Sequence, residues 1–590
     1  MAFVKLSDVS SVYIPTSQGR RGLMDDASPS PTTLGGRATM KNSNLGVSRR
    51  SFLAGSAAAG AFAAIGLVGC EASTAGKAND AKASAEEVVS SRNFGIAPVK
   101  VADAGAPAKE CDFLVIGGGN CGMMSAAHAG ELGLKTILLE KTSVTGGSSV
   151  GTEVTQAFSD CKIMQECVDD PEVVNVSQQT GTPGEIFTYF MMHNSWESNA
   201  ELVTNYIKTN HKYHDFLYEH GAYPMMLLPS LDAPTGGIMY KGQGIGAFEV
   251  MQKAAEEYGV EVLTSSPATA LVVDEDGAIV GAMAKINGDE SYIKAKAVFV
   301  GTGGFSNNVE MIEEFIPGWG PMAWKNDSHL AHDGDGIRMM LGVGAVKSDL
   351  GLAQPSASSV DGVTWDSPID KAAREPYLWV NSNGLRLGNE KWNVMDTMYK
   401  VGIKENDHVY FNVIDSAAVK RMETSPLMTN ARTVLGSTDP VGNMGEELEA
   451  GVKNGSVFKG ESIEELAKNA GIDADVLKRT VDSYNKMADA AEDTQFYKDA
   501  ACLFAVKEAP FYAFRLIPSW YSTLCGVKVN GNVQVVGEGG RPIDGLYAGG
   551  LDSGEFFKDN YNHGFSGGCS GYSYFTGYFA AEQAMEYIKK

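Results

Sequence analysis

Hydrophobic and polar positions first fall into register at Asp112, where Phe113-Leu114-Val115-Ile116 forms an unbroken apolar run of strand type. Such a run, bounded by turn residues, fits a strand buried on both faces. It enters Gly117-Gly118-Gly119-Asn120-Cys121-Gly122, and from Met123 to Leu132 the apolar positions take helical spacing. A second apolar run, Thr136-Ile137-Leu138-Leu139, reads as the next strand and ends on Glu140. The pattern predicts strand, glycine turn, helix and strand, the opening unit of an α/β sheet.

The residues at that turn suit a dinucleotide. A GxGxxG between strand and helix lets the backbone turn tightly, brings a pyrophosphate close and aims the amides of the helix N-terminus at it. Glu140 stands 18 residues after Gly122. A carboxylate there accepts hydrogen bonds from the ribose hydroxyls of an adenosine and repels a 2'-phosphate, which disfavours NADP. This segment alone does not separate NAD from FAD.

The apolar pattern of the first seventy residues has another meaning. Ser48-Arg49-Arg50-Ser51-Phe52-Leu53 precedes an Ala/Gly-rich apolar segment, Ala54 to Gly69, and reads as a twin-arginine export signal. Leu67-Val68-Gly69-Cys70 resembles a lipobox, which implies lipidation of Cys70 and anchoring to the outer face of the membrane. Met40-Lys41-Asn42 offers a conventional start close to the arginines. Residues 1–69 are therefore set apart from the fold, and the Ala-, Gly- and Ser-rich stretch that follows, 70–107, is expected to be a tether.

Composition narrows the function classes. A formal net charge of -24, from 72 acidic and 48 basic side chains in 590 residues, argues against nucleic acid as a partner. The cysteines other than Cys70 show no CxxC or CxxCH, so neither haem attachment, an iron-sulfur cluster nor a metal site is signalled.

After Lys141 the chain continues into Gly146-Gly147-Ser148-Ser149, and here it resembles the flavoprotein family of fumarate reductases, succinate dehydrogenases and 3-ketosteroid dehydrogenases. The resemblance covers about 480 residues, from Cys111 to Lys590. Further ordered blocks carry it: Val260-Glu261-Val262 through Ala268, Val298-Phe299-Val300-Gly301-Thr302-Gly303-Gly304-Phe305, His332-Asp333-Gly334-Asp335-Gly336-Ile337, and Gly545-Leu546-Tyr547-Ala548-Gly549-Gly550 with Gly567-Gly568. The resemblance implies FAD, with contacts at Gly117, Gly119, Asn120, Cys121, Gly122, Glu140, Lys141, Gly146, Gly147, Ser148, Ser149, Ala268, Asp335, Gly550, Leu551, Gly567, Gly568 and Cys569. No histidine adjoins Gly146-Gly147, where relatives with covalent flavin carry one, so the FAD is expected to be non-covalent.

The fold implied is α/β: a Rossmann-like FAD-binding domain split in sequence, 108–352 and 520–590, around an inserted α+β capping domain, 353–519. Closure of such a cap over the flavin excludes water and brings hydride and proton sources together.

In fumarate reductases two histidines and two arginines hold the substrate carboxylates, and all four positions differ here. Gln354 replaces one histidine, Asn393 or Val394 stands at one arginine, Ser519-Trp520-Tyr521-Ser522 lacks the second histidine, and Phe565 replaces the second arginine. A dicarboxylate would be left unpaired, so the resemblance implies a less charged acceptor bounded by Gln354, Trp520, Ser522 and Phe565. Trp379, Trp392 and Tyr377 are also close in sequence; the alternative is that these aromatics pack the cap. Candidate proton donors are Tyr521, Tyr561 and His563, with Arg374 near the position of the family's relay arginine. Arg386, Asn389 and Glu390 lie in an intact frame and are expected to organise the cap against the flavin rather than touch substrate.

The activity implied is hydride transfer from flavin N5 to an activated carbon-carbon double bond, in an enone or aryl acrylate. Electrons would come from a separate membrane cytochrome or flavin carrier. The alternatives are the reverse reaction on a ketosteroid-like substrate and an electron relay without turnover.

Overall fold

The computed structural model describes residues 94–590, apart from 230–232, 317–324, 327–331, 356–358, 361–362, 364–366, 393–407, 429–437, 518 and 562–566. The export signal, Cys70, His563 and Phe565 lie outside the described residues.

The apolar runs form the centre of a nine-stranded sheet. The strand Lys109–Ile116 pairs in parallel with Thr136–Leu139 on one side and Asp289–Val300 on the other. Glu261–Leu263 continues the parallel order beyond Leu139, and Pro542–Ala548 returns from the end of the chain to lie parallel to Asp289–Val300. The registers Ile116↔Leu139, Leu139↔Leu263, Val300↔Ile116 and Val300↔Ala548 bring five strand ends to one edge. Ligands of open α/β sheets bind beyond that edge, where the order of strands changes direction. Phe113, Leu114 and Val115 are fully buried, which the unbroken apolar run requires of a strand covered on both faces.

Two helices far apart in the sequence pack on the sheet. Asn120–Glu131 and Gly568–Ile588 pack together, and they approach so closely that a Cβ on Gly577 would fall 2.2 Å from the Cys121 carbonyl oxygen. The core that they share with the sheet draws on residues up to Ala353 and again from Trp520 onward.

Between those limits the chain builds a second sheet, ordered Ser359–Val360, Phe511–Ile517, Tyr410–Ile414 and Leu378–Asn381, with Val457–Gly460 paired to Phe511–Ile517. Its period-two pattern divides two cores. Tyr377, Trp379, Tyr410 and Phe514 face one, closed by the helices Ser416–Thr424 and Met444–Asn454. Leu378, Val380, Phe411 and Ala513 face the other, closed by Ile463–Ala470 and Ala474–Ala490. A buried charge network braces the second. Arg386 donates to Glu390 and Asp493, with contacts of 2.7 to 3.0 Å, and Lys498 lies 3.2 Å from Glu390. Burial alone would push the Asp493 carboxyl up, but Arg386 and three backbone amides outweigh it and hold the group well below the usual carboxylate range. The hydrogen-bond and ion-pair partners of Arg386, Glu390 and Asn389 all lie inside this inserted unit, Asn389 donating to the Phe496 carbonyl, and not at the edge where the strands of the first sheet end.

The tether expected to reach residue 107 ends sooner. Val99–Lys100 pairs in parallel with Val272 and Val273, completing an otherwise open sheet edge. The Ile96 amide donates to the Arg338 carbonyl at 2.9 Å, and Ile96 and Val99 pack on Ala270, Val272, Met283 and Tyr292. So short an apolar pair is hidden in the sequence by its Ala- and Gly-rich surroundings. Among the described residues, no helix is long and apolar enough to cross a membrane.

Candidate cofactor and substrate site

Beyond the common strand edge lies a cavity, partly open to solvent. Its floor is the glycine turn. Gly117 has φ +109, and a Cβ there would sit 2.3 Å from the Gly301 carbonyl oxygen. A Cβ on Gly122 would sit 1.8 Å from the Gly117 carbonyl oxygen. Turn, helix and neighbouring strand therefore meet backbone to backbone, which no side chain at either position permits.

Glu140 occupies the wall beside this turn. Its Oε2 accepts from the Gly118 amide at 2.9 Å and its Oε1 from the Thr142 amide at 2.7 Å, so the carboxylate is fixed at the cavity. Lys141 also lines the cavity, but its ammonium donates to Asp335 at 2.8 Å and Asp333 at 2.9 Å. Burial pulls that ammonium down, and the two carboxylates more than reverse the effect, keeping it charged. Gly117, Gly119, Asn120, Cys121, Gly147, Ser148, Ser149, Ala268, Gly550 and Leu551 complete the expected lining. Gly122, Gly146, Gly567, Gly568 and Cys569, expected as contacts, do not line it; at Gly567 (φ +74) a Cβ would come within 2.5 Å of the Val154 carbonyl oxygen, so that glycine is required by a backbone contact outside the cavity. Burial pushes the Cys121 thiol up to about 12, so the side chain fills space without acting as a nucleophile.

The cavity fits FAD. The Asn120–Glu131 helix starts there behind Gly119, which offers no side-chain cap; its first amide donates to the Ser149 hydroxyl at 3.2 Å, and both residues line the cavity, where a helix N-terminus favours an anion. Asn120 is buried in the lining; its Nδ2 donates to the Tyr574 hydroxyl at 3.1 Å, while Oδ1 has no partner among the described residues and suits a donor on the ligand.

Sequence reasoning missed several residues of the site, three of them with a clear structural part. Thr302 was read only as part of a glycine block, yet it lines the cavity with Gly301 and Gly303. Asp552, one residue beyond the expected Gly550-Leu551, is fully buried and accepts from the Thr302 amide, the Thr302 hydroxyl at 2.8 Å and the Gly304 amide at 2.9 Å. It ties the C-terminal segment to the central turn, and burial raises its carboxyl. His332 is the third, entering the lining three residues ahead of Asp335.

The substrate-side candidates separate. The strand Ser519–Leu524 lies antiparallel to Leu352–Pro355, with Ser522 opposite Gln354 and Trp520 opposite Pro355. The shift leaves Tyr521 as the extra residue of a β-bulge, a device that re-aims a side chain out of the regular alternation. Tyr521 is half-buried. Trp520, expected in the substrate pocket, is instead fully buried in the core of the flavin body, because its strand faces that core at this position. Tyr377 and Trp379 are likewise buried in the cap, as the packing alternative requires. Arg374 ends the Pro368–Ala373 helix inside the cap, paired with Asp370 at 3.1 Å, so it stabilises a helix end rather than facing a cleft. The buried Tyr561 hydroxyl accepts from the Cys569 amide at 3.4 Å.

A mixed sheet with a parallel centre, a glycine turn, a fixed carboxylate and a helix starting at the cavity defines a dinucleotide-binding site. The chain belongs to the FAD binding domain family, which matches residues 112–567. It is 27% identical over 491 residues to the vinyl phenol reductase of Lactiplantibacillus plantarum, covering 81% of this chain and 96% of that protein. It is 25% identical over 491 residues to the urocanate reductase of Eggerthella lenta, covering 76% and 71%. Its fold is that of the 3-ketosteroid-Δ4-(5α)-dehydrogenase of Rhodococcus jostii, with a TM-score of 0.63, 21% identity and coverage of 83% and 99%. The protein is thus an FAD-dependent oxidoreductase of the FAD binding domain family, and the relatives it resembles are named as reductases.

Proposed function

We propose that the chain reduces an activated carbon-carbon double bond in a largely apolar acceptor, an enone or aryl acrylate, and that Tyr521 delivers the proton. The observation that carries this reading is the pairing of an intact FAD cradle with the loss of cations at Gln354, at Asn393 or Val394, in Ser519-Trp520-Tyr521-Ser522, and at Phe565. A relative named for a vinyl phenol supports an aromatic acceptor. Bound FAD would supply the hydride; the chain must exclude water and hold a neutral donor near the reacting carbon. A phenol is uncharged while the acceptor binds, and the phenolate left after it gives its proton must be reprotonated from solvent before the next turnover; the bulge takes Tyr521 out of the ladder.

The test is anaerobic. FAD reduced by a viologen is mixed with conjugated alkenes, and reoxidation by aryl acrylates or enones but not fumarate is expected. Tyr521→Phe should lower turnover roughly 10²- to 10⁴-fold with bound FAD unchanged. Oxidation of saturated ketones together with inertness toward every alkene would favour the dehydrogenase reading instead.

We further propose export through the Ser48–Leu53 signal, anchoring by a lipid on Cys70, non-covalent FAD and electron supply from a separate membrane cytochrome or flavin carrier. Cys70→Ala should move the protein from the membrane to the soluble fraction of fractionated cells. An unchanged membrane fraction would remove the anchor.

A further inference from the structure

Asp552 carries a fully buried carboxyl next in sequence to Gly550 and Leu551, which line the cavity. Its backbone is pinned, the amide donating to the Gly549 carbonyl at 3.3 Å and the carbonyl accepting from the Val527 amide at 3.0 Å. Oδ2 accepts from both the amide and the hydroxyl of Thr302, and Oδ1 accepts from the Gly304 amide at 2.9 Å. The Thr302 hydroxyl itself accepts from the Gly336 amide at 3.1 Å, which leaves its hydrogen for Asp552. Gly336 stands in the first turn of the helix Asp335–Gly342, and a Cβ on it would start 2.9 Å from Oδ2.

Among the described residues, every hydrogen-bonding neighbour of this carboxyl is therefore a donor. A protonated carboxyl would turn its own O–H toward N–H groups and find no acceptor, so the arrangement suits the ionised form. Burial pushes the group up, and the donors around it pull it back. Its neighbour Asp335 adds a charge of the same sign, and Asp335 is itself paired with Lys141 at 2.8 Å. Among the described residues no cation pairs with Asp552, so dipoles alone hold its charge.

The order of strands sets that charge beside the flavin half of the cofactor. Glu140, at the end of Thr136–Leu139, marks the adenosine side, and the glycine turn after Lys109–Ile116 meets the pyrophosphate. The rest of FAD then runs over the next two strand ends, those of Asp289–Val300 and Pro542–Ala548. Gly301-Thr302-Gly303 and Gly549-Gly550-Leu551 follow those strands and line the cavity. Asp552 joins the two segments, and a fixed charge in so dry a place is little screened.

We propose that Asp552 is a positioning residue that remains ionised, ties together the two segments on the flavin side of the cavity, and by its charge lowers the midpoint potential of bound FAD. Electrons added to the flavin meet a negative charge that no cation neutralises. Reduced FAD is then held less tightly relative to oxidised FAD and becomes a stronger hydride donor, the direction that reduction of a double bond requires. The inference rests on the assignment of FAD to this cavity and does not depend on which acceptor is reduced.

The experiment uses the full chain and reads binding and potential instead of turnover. Apoprotein is titrated with oxidised FAD, and the midpoint potential of the loaded protein is measured against reference dyes. Asp552→Asn removes the charge at nearly constant shape. It should favour reduced over oxidised FAD by about tenfold, a midpoint about 30 mV more positive for two electrons. Asp552→Ser, smaller and also uncharged, should move the potential in the same direction. A part in packing alone would weaken both redox forms alike and leave the potential where it was. That outcome overturns the inference whatever the loss of affinity, and so does a shift to more negative values. If the asparagine protein does not hold FAD, the serine protein is judged by the same criterion; loss of FAD from both would reduce Asp552 to a structural tie and also overturn it. A wild-type chain that takes up no FAD would bring down the cofactor assignment instead, a result that no variant at 552 mimics.

Discussion

Gly122→Ala should abolish retention of FAD. The added methyl would lie 1.8 Å from the Gly117 carbonyl oxygen, so either the helix Asn120–Glu131 must retreat or the turn must open. Both movements misalign the helix N-terminus and the glycine backbone that meet the pyrophosphate. We expect FAD affinity to fall by about 100-fold or more, roughly 3 kcal/mol, so that the protein purifies colourless and takes up flavin only at high concentration. Titration of apoprotein with FAD measures this directly. The cap, with its own two cores, should remain folded. Affinity within a few-fold of wild type would show that the turn adapts and that the close approach is not required.

The second large effect is expected far from the cofactor. Glu390 is fully buried, accepts from both Nε and an Nη of Arg386 at 2.8 Å, and lies 3.2 Å from the Lys498 ammonium. With Asp493 the four charges cancel. Glu390→Ala leaves one positive charge uncompensated in the interior, which costs about 3–5 kcal/mol where a single partner of a buried ion pair is removed. Denaturant unfolding followed by the fluorescence of Trp379, buried in the same cap, should show a markedly lower midpoint. A loss under about 1 kcal/mol would mean that Lys498 releases its proton or that water reaches the site.

How much of this was readable beforehand depended on how local each determinant is. The dinucleotide turn was legible because strand, glycines, helix and acid are contiguous in sequence, and the cavity collects Gly117, Asn120, Glu140 and Ser149 as expected. The cap sheet was legible only as a class, since its strands Leu378–Asn381, Tyr410–Ile414 and Phe511–Ile517 pair across long intervals. Asp552 was missed because it acts through backbone amides some 250 residues away. His332 was missed because its partners, Ser148 and Ser306, come from two other segments. Trp520 was misread because neighbouring residues of a strand face different surroundings, and only the bulge register tells which residue takes which. Arg374 was misplaced by similar reasoning: its distance along the chain from the family frame says nothing of the Asp370 beneath it.

The early ordered segment also sets a boundary for anyone who would cut this protein. The Ile96 amide and the Phe94 carbonyl both engage Arg338, in the helix Asp335–Gly342 that opens on the cavity, and Gly342 yields the space that the Ile96 carbonyl fills. A catalytic fragment begun at residue 108 would strip that brace and leave the Ala268–Val273 strand with bare amides and carbonyls, an invitation to adhesion between molecules. A fragment meant to stay monomeric and loaded with cofactor has to begin ahead of Phe94.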